Sequence, residues 1–77
     1  MDQNIINDKL KEAEEIYELG LKNIVEKQYT NAKDNLYKAA MLNLEIASYI
    51  RGIEKAHLLK NVKIIFSKIK FLDAEKY

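Results

Sequence analysis

Apolar positions recur along the first third of the chain at alternating steps of four and three: Ile6, Leu10, Ala13, Tyr17, Gly20 and Ile24, with Leu21 and Val25 widening the stripe. That period gathers them on one face of an α-helix and predicts a helix over about residues 5–27. Asn4 or Asn7 is placed to cap its start. The acids Asp8, Glu12, Glu14 and Glu15 suit its early turns, and Lys22 and Lys27 its end. The polar run from Glu26 to Asn31 breaks the pattern and predicts a tight helical hairpin, with Thr30 or Asn31 as the next cap.

A second helix is predicted over 30–50. Ala32, Leu36, Ala39, Asn43, Ile46, Ala47 and Ile50 share one face, and Ala40 and Leu44 broaden it enough for two neighbours. Its alanines let another helix come close, and Gly20 in the first helix offers a matching recess, which offsets the cost of glycine inside a helix. Gly52 is expected to end the second helix in the left-handed conformation. The third helix, predicted over 53–75, sets Leu58, Val62, Ile65, Ile69 and Leu72 on one seam with Leu59 and Phe66 beside it. Ile64 and Phe71 fall outside that seam, so apolar surface is left over, rimmed by Lys60, Lys63, Lys68 and Lys70.

Composition narrows the picture. A chain of 77 residues without proline or cysteine allows one helical domain with one core, and neither a disulfide framework nor a thiolate metal site. The expected setting is reducing and cytoplasmic. Residues 1–27 hold seven acids and four bases, and residues 51–77 seven bases and three acids. An acidic first helix and a basic third would gain from packing side by side, antiparallel, though exposed pairs contribute only about 0–1 kcal/mol each. No apolar run approaches the length of a membrane span, and the start lacks the pattern of a signal peptide. The expectation is an all-α, antiparallel three-helix bundle filling residues 1–77.

Leu19-Gly20, Tyr29, Ala32, Leu36 and Ala39 stand at the spacing of one tetratricopeptide repeat. A solenoid needs about three repeats to bury its faces, and no second copy follows. The single hairpin, the prolonged second helix and the long third helix together resemble the MIT domain, the microtubule-interacting and trafficking module, from about Asp8 to Lys76. The most specific stretch is Lys27-Gln28-Tyr29-Thr30-Asn31-Ala32, followed by Leu36, Ala39 and Ala47.

The resemblance implies an adaptor excised from a longer protein, such as the N-terminal domain of an AAA ATPase of the vacuolar-sorting or archaeal cell-division type. Such domains bind C-terminal motifs of ESCRT-III proteins, as a helix between the second and third helices or as a strand between the first and third. The resemblance places the apolar anchor of the third helix at Phe66, with Ile69 one turn on. Where the ATPase members carry acids beside the anchor and four positions later, this chain has Ser67 and Lys70. Its groove is therefore expected to prefer an acidic or purely apolar peptide. The candidate peptide-binding residues are Tyr37, Met41 and Leu44 on the second helix and Lys63, Phe66, Ile69 and Lys70 on the third.

Other chemistries find little support. The lone His57 has no partner at ligand spacing, and Glu14, Glu15 and Glu18 would need matching ligands from other helices to hold a metal. No phosphate-binding loop and no nucleophile-base set can be assembled, so neither catalysis nor a cofactor is expected. Two alternatives stand beside peptide binding. One is a structural or homodimerising role for the surplus apolar face. The other is nucleic-acid binding through the lysines of residues 55–76, among which aromatic residues are not interleaved as a stacking platform.

Overall fold

A helix whose buried positions are mostly alanine can be approached closely from two sides, because little side chain holds its neighbours off. The computed structural model, which describes residues 2–74, is built on that property. It consists of α1 (Gln3–Val25), α2 (Tyr29–Ala47) and α3 (Gly52–Ala74). Ala32, Ala39, Ala40 and Ala47 of α2 are buried together with Leu36 and Ile46. α1 packs on one side of α2 and α3 on the other; among the described residues no Cα of α1 lies within 8 Å of one of α3. The body is elongated, 44 × 19 × 13 Å.

Short connections make consecutive helices antiparallel, which leaves α1 and α3 parallel. The expected direct packing of acidic α1 on basic α3 is therefore not found. Each instead makes its interhelical ion pair with α2: Lys9 with Glu45 at 3.1 Å and Lys33 with Asp73 at 2.9 Å. Both pairs are partly exposed and add little stability. The larger contribution comes from two apolar clusters. One joins Leu36, Ala39 and Ala40 to Val62 and Ile65; the other joins Ile6, Ile46, Ala47 and Leu58.

The helix ends depart from the sequence expectation. Asp2, not Asn4 or Asn7, caps α1, its carboxylate accepting from the Asn4 N–H at 3.0 Å. α1 stops at Val25, which is 81% exposed instead of extending the buried stripe. There the Lys27 N–H donates to the Ile24 carbonyl and the Gln28 N–H to that of Asn23, with Lys27 at φ 61°. This is a Schellman motif whose left-handed position holds lysine in place of the usual glycine. α2 consequently begins at Tyr29, putting Thr30 and Asn31 inside its first turn and not at the cap. Side chains lock the hairpin: Asn35 donates to the Oδ1 of buried Asn23 at 2.7 Å, and Asn23 donates to Gln28 Oε1 at 3.2 Å.

At the other end α2 stops at Ala47, not Ile50, and turns through Ser48 and Tyr49. Gly52 has the anticipated positive φ, +75°, but it opens α3 instead of terminating α2. Gly20 does provide a recess, and what enters it is Leu36: a Cβ built there would lie 3.0 Å from Leu36 Cδ2 and 3.4 Å from its backbone nitrogen. No described helix is long and apolar enough to cross a membrane.

Two substitutions test these local arguments by urea denaturation. Lys27→Gly relieves the left-handed strain and should stabilise the domain by about 1 kcal/mol. Gly20→Ala improves helix propensity but presses on a side chain with no exposed surface, so it should destabilise by about 1 kcal/mol net. A stability gain in the second variant would mean that Leu36 yields freely.

Candidate functional site

The surplus apolar residues of α3 follow their own helical seam. His57, Asn61, Ile64, Lys68 and Phe71 step by four and three, one position behind the core seam of Leu58, Val62, Ile65, Ile69 and Leu72. A one-residue offset turns a side chain by about 100° around a helix. The second seam therefore misses α2 and borders the space beside α1.

That space is a groove running the length of the bundle. At the N-terminal ends of α1 and α3, a cavity of about 260 Å³ is lined by Ile6, Leu10, Ile50, His57 and Leu58 among others. Leu10 and Leu58 also line the middle cavity, about 440 Å³, with Ala13, Glu14 and Tyr17 of α1 and Asn61, Ile64 and Ile65 of α3. Asn43 of α2 takes part in this middle cavity from between the two helices. Ile64 continues into a third cavity of about 490 Å³, walled by Ile24, Ser67, Lys68, Phe71 and Leu72. Shared walls make the three cavities one continuous trough. From Gln3 to Ile24 it spans about 30 Å, enough for some 20 residues of helix or nine of strand.

Its walls combine apolar side chains with polar ones, Gln3, Asn7 and Asn61 among them, and are open to solvent. Ile64 is 42% exposed and Phe71 63%, in agreement with the expectation that this pair falls outside the core. The charged residues that line it differ in sign, Glu14 on α1 and Glu54 and Lys68 on α3. Asn43 is the polar exception inside, a buried carboxamide that donates to the Ala39 carbonyl at 2.8 Å. Among the described residues no cluster of three or more potential metal ligands occurs.

The seven residues singled out from the sequence fall on the other side of α2. Tyr37 and Phe66 meet edge to face, ring centroids 6.2 Å apart, bridging α2 and α3. Leu44 and Ile69 are partly buried and pack against the main core cluster. Met41 shares a cavity of about 330 Å³ with Tyr37, walled by Glu12 and Ile16 of α1. Lys63 and Lys70 are exposed. The α2–α3 face thus brings together one aromatic pair, whereas the α1–α3 trough is continuous. Leu10, which the sequence reading assigned to the core, is an exposed trough wall, while Tyr17 both packs against the core cluster as expected and lines the trough. The signal for them lay in chain direction: two parallel helices held by one middle helix expose a channel between themselves.

No protein-family model, curated protein or solved structure matches the chain.

If the trough is surface and not core, truncating its walls should be cheap. Ile64→Ala and Phe71→Ala are expected to cost about 1 kcal/mol or less, against about 2–5 kcal/mol for Ile65→Ala one position away. Equal losses at residues 64 and 65, measured by urea denaturation, would place Ile64 in the core.

Proposed function

We propose that this chain is a peptide-binding adaptor domain of the MIT type, which brings an AAA ATPase to ESCRT-III-like partner proteins. The observation that carries the reading is the trough between α1 and α3, along which the apolar side chains of Leu10, Ile64 and Phe71 are open to solvent and that of Tyr17 is partly so. Contiguous exposed apolar surface with a polar border is a mark of an interaction site, and a channel between two helices suits a single peptide segment. The hairpin sequence Lys27-Gln28-Tyr29-Thr30-Asn31-Ala32 and the alanine-rich α2 supply the likeness to the MIT fold.

Within this reading the trough is the principal seat. The face bearing Tyr37 and Phe66 offers less, because its two rings already contact each other and Leu44 and Ile69 are engaged with the core.

Titrating the isotope-labelled domain with C-terminal peptides of ESCRT-III-like proteins tests the function. The expected result is saturable chemical-shift change concentrated on Leu10, Tyr17, Ile64 and Phe71. Changes confined to Tyr37 and Phe66 would keep the function and move its seat. No change with any such peptide would remove the reading.

A further inference from the structure

Asn43 stands on the face of α2 that otherwise carries Ala32, Leu36, Ala39, Ile46 and Ala47, all buried. A leucine, which has the same branching and the same number of side-chain heavy atoms, would place an apolar side chain there without burying a polar group. The carboxamide is 7% exposed and lines the middle of the trough. Its nitrogen donates to Ala39 O, and among the described residues Oδ1 accepts no hydrogen bond. No buried side-chain nitrogen or oxygen is left unsatisfied among the described residues, so Oδ1 keeps contact with the open trough. Asn61 of α3 lines the same cavity and adds a second carboxamide, while the trough on either side is walled by Ile6 and Leu10 at one end and Ile24, Phe71 and Leu72 at the other.

Of the polar residues along the trough, Asn43 is the buried one, and Glu14 and Asn61 beside it are exposed; a buried polar group in a contact seam is the device by which helical assemblies set register. It adds little binding energy when satisfied and penalises every alignment that leaves it dry and unpaired. From this we infer that Asn43 fixes the register of the bound segment, selecting a peptide with one hydrogen-bonding side chain, an amide or hydroxyl, in the middle of an otherwise apolar stripe. The inference rests on the peptide-binding reading of the trough. It adds a specificity-determining residue and the chemistry it selects: an apolar segment without a central polar group covers Oδ1 with nothing to replace water.

A displayed library of 20-residue peptides, selected in parallel against the wild-type domain and Asn43→Leu, tests the inference. Asn43→Leu removes a buried polar group, so it is expected to melt no lower than wild type; Asn43→Ala serves as a second variant of smaller volume. Wild type should enrich peptides with a single Asn, Gln, Ser or Thr between apolar anchors, and both variants should lose that preference. Replacing the polar residue of a wild-type-selected peptide by Leu should weaken binding to wild type roughly tenfold and leave binding to Asn43→Leu unchanged or tighter. Identical sequences enriched by all three proteins, or an equal effect of the peptide change on each, would overturn the assignment of Asn43 and leave peptide binding intact. Failure of all three proteins to enrich any peptide would overturn both.

Discussion

Leu36 has no exposed surface. On one side it fills the recess left by Gly20 of α1, and on the other it belongs to the cluster that holds Val62 and Ile65 of α3. Around it the buried alanines of α2 let both neighbours approach, so one helix serves as the packing partner of the other two. Most else in the domain follows from that arrangement. The hairpin must close tightly enough to bring Gly20 onto Leu36, which the Schellman turn at Lys27 and the Asn35–Asn23–Gln28 side-chain chain accomplish. α3 must return antiparallel to α2, which makes it parallel to α1.

Parallel helices held apart by a common partner cannot bury all of their own apolar surface. In a three-helix bundle closed on itself, the α1 and α3 faces would meet and Ile64 and Phe71 would be core. Here they stay exposed, and the trough between α1 and α3 is the cost of packing through α2 alone. Exposed apolar surface in a continuous channel is unfavourable in water and becomes favourable once covered. The proposed adaptor function uses that imbalance: binding energy is stored in a surface that the fold itself leaves unsatisfied.

Much of this architecture was legible in the sequence. The 3–4 periodicity marked all three helices, the alanines identified α2 as the helix with two neighbours, and the surplus at Ile64 and Phe71 pointed to an unfilled face. Helix ends were less accessible, because a cap depends on a few local hydrogen bonds and several nearby residues can compete for them. Asp2 did what Asn4 or Asn7 was expected to do, and a lysine adopted the left-handed turn for which only glycine would have been suspected. The groove was harder still. Periodicity says which residues share a face but not which helix that face meets: Phe66 meets Tyr37 of α2, whereas Ile64 and Phe71 border α1. Leu10 lies on the stripe that also carries Ala13, Tyr17 and Gly20, and only the separation of α1 from α3 distinguishes it, as trough wall, from core.

In the free domain α1 and α3 flank an open channel. Solvent paramagnetic relaxation on the methyl-labelled protein, with a soluble inert relaxation agent, measures this directly at adjacent positions. The Ile64 methyl signals should broaden as those of surface residues do, while those of Ile65 remain protected. Equal protection of Ile64 and Ile65 would mean that α1 and α3 close on each other in solution, and the channel would not exist.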